Sequence, residues 1–278
     1  MTGAVATTPF IARRERFTSI GSTNDVVRAW LDDGTPEVCL AVADEQTAGR
    51  GRSGRTWTAP AGAGLLLSVG FRPAWLAPDH TWRLAAIVAL AMAEAAEREV
   101  RLPARSIRLK WPNDLVVETR DGTVRKLAGL LGETVGLGGD EPRAIVGLGL
   151  NADWPAADFP ADLAATMTSL REAAGRSVDV DGVLAAFEEQ LEQRTLALRD
   201  GRFDVAGWVA RQLTNGRLVR LETADGATAV VRALGVDAST GGLIVGDAAE
   251  VDGRRTVLSG EIVHLRLSDA ADATQSGV

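Results

Sequence analysis

The sequence predicts an α+β protein with a mixed or antiparallel central sheet, helical layers, and a small β-barrel or sandwich of about fifty residues at the end. Up to residue 213, hairpin strands alternate with helices. After Thr214-Asn215-Gly216, the pattern changes to short alternating strands separated by glycine-containing turns. With 278 residues, the chain is long enough for more than one domain.

The first elements are predicted from capping residues and apolar runs. A helix should begin at the cluster Ser22-Thr23-Asn24-Asp25, whose short side chains can cap free amides, and end at Gly34. Residues 38–43 and 65–71 have the apolar composition of buried strands. The helix predicted over residues 81–100 is apolar on nearly every side, which places it at the centre of the fold.

The following elements are predicted from turn residues and periodicity. Asp121-Gly122 has the composition of a hairpin turn between two strands. The predicted strands cover residues 107–109, 115–118, 124–133 and 144–150, and the predicted helices cover 162–174, 181–199 and 204–213. We therefore predict a larger domain over residues 13–214, a β-barrel domain over 215–267, and flexible tails at 1–12 and 268–278.

Composition excludes several function classes. A net charge of −7 and an isoelectric point near 5.0 argue against a general nucleic-acid binder. Cys39 is the single cysteine and lies in an apolar run, which predicts a buried inert thiol and no internal disulfide. His80 and His264 lack metal-ligand spacing, so a zinc site is not expected. No signal peptide or membrane span is recognisable, and we expect a cytosolic protein.

The arginine–glycine loop, residues 49–55, has the composition of an anion site. It holds three arginines in six positions, and its glycines allow the backbone to close around a ligand. The loop formally matches the dinucleotide pattern G-x-G-x-x-G. However, five residues separate it from the preceding strand, and the segment after Trp57 cannot begin a helix, so a Rossmann site is excluded.

Three further motifs carry polar or small residues, and each has a plain structural alternative. Lys110-Trp111-Pro112-Asn113-Asp114 combines a cation, an aromatic ring, a rigid corner and a carboxylate, although Asn113-Asp114 alone is more typical of a turn. Lys126 begins a buried strand, where a strand-end lysine is the simpler interpretation. Gly147-Leu148-Gly149 predicts close approach of a ligand or another backbone, which packing alone could also explain.

Taken together and in this order, the motifs favour a functional interpretation over the separate structural alternatives. The set consists of Ser22-Thr23-Asn24, Gln46 with Gly49-Arg50-Gly51-Arg52, Lys110 to Asp114, Lys126-Leu127-Ala128-Gly129, and Gly147-x-Gly149-x-Asn151. In this set the sequence closely resembles the biotin protein ligases, from about residue 19 to residue 267. The resemblance implies the class II aminoacyl-tRNA synthetase/biotin ligase-like fold, with an SH3-like C-terminal barrel.

The resemblance also implies a reaction. Such ligases join the biotin carboxylate to ATP, release pyrophosphate, and transfer the acyl group from biotinyl-5′-AMP to a lysine of a biotin carboxyl carrier domain of an acyl-CoA carboxylase. Mg²⁺ would accompany the nucleotide. Two anionic reactants must meet, which requires fixed positive charge and positioning rather than a nucleophilic side chain.

Site residues are implied by motif position. Lys126, Arg50 and Arg52 would be catalytic, and Trp57 would stack on adenine. The implied biotin-binding set is Ser22, Thr23, Asn24, Gln46, Gly49, Arg50, Gly51, Arg52, Lys126, Gly129 and Gly147. The implied ATP-binding set is Arg52, Trp57, Lys110, Asn113, Asp114, Lys126 and Asn151.

Two alternatives stay open at this point. A lipoate–protein ligase shares the adenylation chemistry, but its nearly apolar dithiolane needs no polar clamp. An RNA-binding adaptor would need aromatic residues interleaved with basic residues along a groove, and the net negative charge of the chain disfavours it. Because only 21 residues precede Ser22, we expect the monofunctional type without a DNA-binding module or repressor activity, acting as a monomer or weak homodimer.

Overall fold

The computed structural model describes residues 9–223, 226–247 and 253–264. Its main feature is a seven-stranded mixed sheet in the order β1-β2-β3-β7-β6-β5-β4. β1 and β2 are parallel, and every other neighbouring pair is antiparallel. The strands are β1 (Arg13–Phe17), β2 (Cys39–Ala43), β3 (Gly64–Phe71), β4 (Ile107–Lys110), β5 (Asp114–Glu118), β6 (Val124–Val135) and β7 (Arg143–Asn151).

Helices cover both faces of this sheet, which confirms the predicted α+β class. On one face, α2 and α4 pack against strand residues such as Leu40, Leu67 and Leu148 to form the main core. On the other face, α1 buries Val27, Trp30 and Leu31 against Cys39 and Ile145. The helices are α1 (Thr23–Asp32), α2 (Trp82–Val100), α3 (Leu170–Ala174), α4 (Val180–Arg199) and α5 (Val205–Ala210).

The edge strand β1 was not predicted. Its sequence, Arg-Arg-Glu-Arg-Phe, lacks the apolar alternation by which half-buried strands are recognised. Charges are typical of an edge strand because they discourage pairing with a further strand. Just before β1, Phe10 and Ile11 pack against the core and the Ala12 amide donates to Val38 O, so these residues do not belong to a flexible leader. Residues 1–8 and 265–278 lie outside the described residues.

Two predicted helices are shorter than expected, for the same reason. The helix predicted over 162–174 is helical only from Leu170, because Thr166 and Thr168 form backbone hydrogen bonds with Lys126 of β6 instead. The helix predicted over 204–213 ends at Ala210, because Arg211 and Leu213 form backbone hydrogen bonds with Leu109 of β4. Tertiary partners for the backbone outweigh local helix propensity at both places.

A second, five-stranded antiparallel sheet follows α5, consistent with the small barrel expected there. It contacts the first part of the chain through two indoles: Trp111 Nε1 donates to Gly241 O and Trp82 Nε1 donates to Ser239 O, both at 3.3 Å. Its order is β11-β10-β9-β8-β12, with β8 (Leu218–Thr223), β9 (Thr228–Val236), β10 (Leu243–Asp247), β11 (Arg255–Val257) and β12 (Gly260–His264).

A buried ion pair fixes the edge of the large sheet to α2. Both oxygens of Glu97 accept from the Arg211 guanidinium, at 2.8 and 2.9 Å, and Glu97 also accepts from the Ile107 amide at 2.9 Å. The two side chains are only 7% and 5% exposed. The pair therefore positions β4, which leads directly into Lys110 and the following motif.

We expect Glu97→Ala to lower the free energy of unfolding by about 3–5 kcal/mol, because it removes both close carboxylate hydrogen bonds from the buried Arg211 guanidinium and leaves it, among the described residues, only the Glu94 carboxylate at 3.6 Å as a charge partner. Urea unfolding followed by tryptophan fluorescence measures this loss. The control is Glu189→Ala, which removes the exposed pair with Arg98 and should cost less than about 1 kcal/mol. Equal losses in both variants would contradict the importance of the buried pair.

Candidate active site

A cluster of hydrogen-bonded polar side chains, the polar pocket, lies where α1 begins. It consists of Ser22, Thr23, Asn24, Gln46 and Ser68. The Thr23 amide and hydroxyl both donate to Gln46 Oε1, at 2.7 and 3.0 Å. The Ser68 hydroxyl lies 2.6 Å from Asn24 Oδ1 and 2.7 Å from Thr23 Oγ1. Because Gln46 uses its oxygen toward Thr23, its amide nitrogen is left as a donor for other groups.

The pocket keeps unused donors at the helix N-terminus. Ser22 is the N-cap residue and is buried, but its side chain caps no amide of α1. Asn24 packs directly over β7: a Cβ at position 147 would lie 3.1 Å from Asn24 Cγ, and still closer to its Oδ1. Glycine at 147 is therefore required by a protein side chain, in line with the packing alternative for this motif, and the ligand contact implied by the resemblance stays a prediction.

The polar pocket continues into a network of charges. Asn24 Nδ2 donates to Glu133 Oε1 at 2.8 Å, and Glu133 forms an ion pair with Arg28. Arg50 of the arginine–glycine loop donates to both oxygens of Asp25, at 2.6 and 2.8 Å. These bonds lower the pKa of Asp25 in spite of its partial burial. One end of the loop is thus tied to the first turn of α1.

A second group, the cation cluster, consists of Lys110, Asp114, Lys126 and Trp57. Lys126 Nζ lies 2.7 Å from Asp114 Oδ1 and 5.4 Å from the centre of the Trp57 ring. The register between β5 and β6 shifts between Leu115 and Val116, at the level of Lys126. Such a bulge re-aims side chains. The backbone of Lys126 is also bonded to Thr166 and Thr168 on its other side.

Lys110 is paired with Asp114 in the register of β4 and β5. Burial lowers the pKa of Lys110, and the positive charge of Lys126 acts in the same direction, while the Asp114 carboxylate partly opposes both. Lys126 makes the close contact with that carboxylate. The two lysines therefore stand in different electrostatic environments although they share one neighbour.

Trp57 rests on a surface formed by two glycines of adjacent strands. A Cβ at position 149 would lie 2.5 Å from Trp57 Nε1, and a Cβ at position 129 would lie 3.2 Å from Trp57 Cζ3. The same Cβ at 129 would lie 3.1 Å from Lys126 Nζ. Gly129 and Gly149 are register partners in β6 and β7, so they form one flat, side-chain-free area. Trp57 Nε1 is buried without a protein hydrogen-bond partner among the described residues.

The two groups lie on one face of the sheet. Asn24 covers Gly147 and Trp57 covers Gly149, and these positions are two residues apart on β7. At the rise of an extended strand, this separation is about 7 Å. A short acyl chain can span that distance.

The other end of the arginine–glycine loop contacts the second sheet. Arg52 Nη1 donates to Gly260 O at 3.1 Å, and Arg55 Nη2 donates to Glu261 Oε1 at 2.5 Å. Gly49 is needed for the loop geometry, because a Cβ there would collide with Trp57 O. Gly51 closes the loop by donating its amide to Arg55 O at 2.7 Å.

Two predicted nucleotide ligands have structural contacts. Asn113 Nδ2 donates to Leu130 O at 2.6 Å, while Arg52 Nη1 lies 3.5 Å from Asn113 Oδ1. Asn151 is buried and donates to Thr168 O at 2.9 Å. Both amides hold neighbouring segments in position; the Asn151 carbonyl oxygen is left for another partner, whereas that of Asn113 already faces the Arg52 guanidinium.

The structure thus brings all the predicted site residues to the polar pocket, the cation cluster, the loop or the strands beneath them. Sequence reasoning missed four further residues. Ser68 and Glu133 lie in strands whose polar residues stand out against apolar neighbours, a signal that was available. Gly149 lay inside a recognised motif. Glu261, by contrast, is brought to the loop only by tertiary structure.

Within residues 9–223, 226–247 and 253–264, no group of three or more histidine, cysteine, aspartate or glutamate side chains could hold a metal ion. In the same ranges, none of the helices has the length and apolar character needed to cross a membrane.

Comparison with known proteins identifies the family. The family model described as the biotin/lipoate A/B protein ligase family matches residues 17–151. A biotin–[acetyl-CoA-carboxylase] ligase of Mycobacterium tuberculosis is 34% identical over 250 residues, covering 88% of this chain and 86% of that protein. The bifunctional ligase/repressor BirA of Bacillus subtilis is 31% identical over 223 residues, covering 78% of this chain and 65% of that protein.

Solved structures agree with the fold. A biotin protein ligase from Aquifex aeolicus in complex with biotin and ATP superposes with a TM-score of 0.73 at 24% identity, covering 91% of this chain and 99% of that one. A Leishmania major biotin protein ligase in complex with biotinyl-5-AMP gives 0.54 at 23% identity, with coverages of 91% and 98%. The mycobacterial match extends over most of both chains, and the chain therefore belongs to the biotin protein ligase family of enzymes.

Proposed function

We propose that this enzyme activates biotin as biotinyl-5′-AMP with release of pyrophosphate, and transfers the biotinyl group to a lysine of a biotin carboxyl carrier domain. The observation that carries the proposal is the position of the polar pocket about 7 Å along β7 from the cation cluster, on one face of the sheet. A small acid with a neutral polar head can bind in the first with its carboxylate in the second.

The polar pocket suits the ureido ring of biotin. That ring is uncharged and both donates and accepts hydrogen bonds. The Ser22 hydroxyl, which caps no helix amide, and the Gln46 amide nitrogen supply donors, while hydroxyl oxygens supply acceptors. A nearly apolar dithiolane would leave these buried groups unpaired, and this favours biotin over lipoate.

The cation cluster suits the meeting of two anions. The biotin carboxylate attacks the α-phosphorus of ATP, and the bond to the β-phosphate oxygen breaks as pyrophosphate leaves. Lys126 would stabilise the negative charge shared by carboxylate and phosphate, with Arg50 and Arg52 closing from the loop. Trp57 would offer the ring face opposite its glycine surface to adenine. In the second step, the carrier lysine attacks the acyl carbon and AMP leaves.

The chemistry of the donor set fits Mg²⁺ arriving with the nucleotide. Asp114 supplies a hard carboxylate ligand beside Lys126, and Mg²⁺ commonly uses one or two carboxylates together with substrate phosphates. Bound there, the ion would neutralise phosphate charge. Asn113 and Asn151 would contribute carbonyl oxygens toward the nucleotide side of the site.

The remaining parts of the proposal concern partners and location. The carrier would belong to an acyl-CoA carboxylase, by analogy with the substrate named for the mycobacterial relative. We propose that the enzyme neither binds DNA nor acts as a repressor, because its net charge of −7 disfavours contact with operator DNA. A cytoplasmic monomer or weak homodimer completes the proposal, with domains over residues 13–214 and 215–267.

The direct test is incubation with biotin, MgATP and a carboxyl carrier domain, followed by intact-mass measurement. We expect the carrier to gain one biotinyl group and to gain none when its acceptor lysine is replaced by arginine. A parallel reaction with lipoate separates the two acids. Equal transfer of lipoate, or no mass gain with biotin, would exclude the proposed function.

We expect Lys126→Ala to reduce pyrophosphate release from biotin and ATP by roughly 10²–10³-fold, the cost of removing one charge-stabilising donor from such a site. The measurement is a coupled pyrophosphate assay at saturating substrates. An unfolding midpoint close to that of the parent enzyme controls for the unpaired Asp114 carboxylate. Pyrophosphate release near the parental rate would remove Lys126 from the mechanism.

We expect Gly149→Ala to raise the KM for ATP about tenfold with little change in the KM for biotin, because its Cβ would displace the Trp57 indole. Steady-state kinetics with each substrate varied measures this split. The matched control is Gly132→Ala on the neighbouring strand, where a Cβ meets nothing within 4 Å.

A double-mutant cycle shows whether Gly149 acts through Trp57. In a Trp57→Ala background, Gly149→Ala should add almost no further effect on the KM for ATP. Additive effects of the two substitutions would mean that Gly149 matters for another reason.

A further inference from the structure

Amines are nearly absent from this chain. Of its 30 lysine and arginine residues, only two are lysines, Lys110 and Lys126. Both lie in the cation cluster. Every other cationic side chain of this type in the sequence is an arginine, including all those of the arginine–glycine loop.

The chemistry of the proposed reaction makes this distribution significant. Biotinyl-5′-AMP is a mixed anhydride that reacts with an amine nitrogen at its acyl carbon. The carbon–oxygen bond to phosphate breaks, AMP leaves with the electron pair, and the nitrogen loses a proton to water, forming an amide. A guanidinium stays protonated at any physiological pH and its nitrogens are delocalised, so arginine does not undergo this acylation.

Exposed cations near the site are all arginines. Arg55 has a side chain that is 61% exposed, and it contributes to the electrostatic environment of Lys110. Arg28 and Arg50 are about two-fifths exposed and surround Glu133 beside the polar pocket. A lysine at any of these positions would bring a mobile amine close to the activated acyl group.

The two lysines are themselves protected. Lys126 Nζ is held 2.7 Å from Asp114 Oδ1 by an ion pair, so its side chain is fixed within the cation cluster. Lys110 lies on the short β4–β5 hairpin and is partly buried, which limits the freedom of its side chain to reach an acyl carbon.

We infer that the arginine-only surface around the site protects the enzyme from acylation by its own adenylate, so that the incoming carrier supplies the accessible amine. This inference rests on the proposed adenylation. It concerns which amines the biotinyl adenylate can reach and acylate. Arginine retains the positive charge that attracts anionic substrates while removing the competing nucleophile.

The test introduces amines by charge-conserving substitution. Arg55→Lys places an amine beside the site. The matched control is Arg202→Lys, because Arg202 is 70% exposed and, like Arg55, pairs with one carboxylate, but lies after α4. Arg28→Lys repeats the test at the polar-pocket end, independently of the Arg55–Glu261 contact. Each variant is incubated with biotin and MgATP without carrier, and biotinylated residues are identified by peptide mapping.

We expect biotin at residue 55, and at residue 28 in the second variant, at an initial rate at least about tenfold above that at residue 202. A tethered amine has an effective concentration in the millimolar range, far above that of enzyme molecules in solution. The parent enzyme should carry no label on the loop. If the lysine variants still biotinylate a carrier but acquire label no faster than residue 202, the inference is wrong. If the parent enzyme fails to biotinylate the carrier, both the inference and the proposed function fail.

Discussion

The site depends on the absence of side chains from one area of the central sheet. Gly129, Gly147 and Gly149 sit on neighbouring strands, and each supports a functional side chain rather than an open cavity. Asn24 can approach β7 only because position 147 has no Cβ, and Trp57 can lie flat only because positions 129 and 149 have none. The glycines thus set the distance between the polar pocket and the cation cluster.

A second constraint is electrostatic: the cations of the site are already neutralised. Arg50 is bonded to Asp25, Lys126 to Asp114, and Arg55 to Glu261. Anion binding is therefore an exchange of partners. Exposed ion pairs contribute at most about 1 kcal/mol each, so the loop arginines can be released at small cost. This arrangement reconciles an acidic protein with an anion-binding site, because local carboxylates hold the guanidinium groups until substrate arrives.

Structural elements were predicted correctly from the sequence where they depend on local side-chain type and spacing. The capped start of α1, the apolar α2 and the glycine-rich strands all follow from side-chain type and spacing, and the ordered motifs led to the correct family. Prediction failed where long-range backbone partners decide the structure. β1 pairs with a strand more than twenty residues away, and the segment before α3 gives its hydrogen bonds to Lys126 instead of forming a helix. Glu261 meets Arg55 across 206 positions, which no local pattern encodes.

These contacts also explain why the second sheet matters to a site formed by the first. The arginine–glycine loop is held at Arg50 by α1 and at Arg52 and Arg55 by residues that begin β12. A loop rich in glycine loses much conformational entropy when it is ordered, and anchoring it at two points supplies part of that ordering before substrate binds. The Trp111 and Trp82 hydrogen bonds to the turn before β10 fix the second sheet relative to the Lys110–Asp114 hairpin. The two sheets therefore act together, because one carries the glycine surface and the other holds the loop that closes over it.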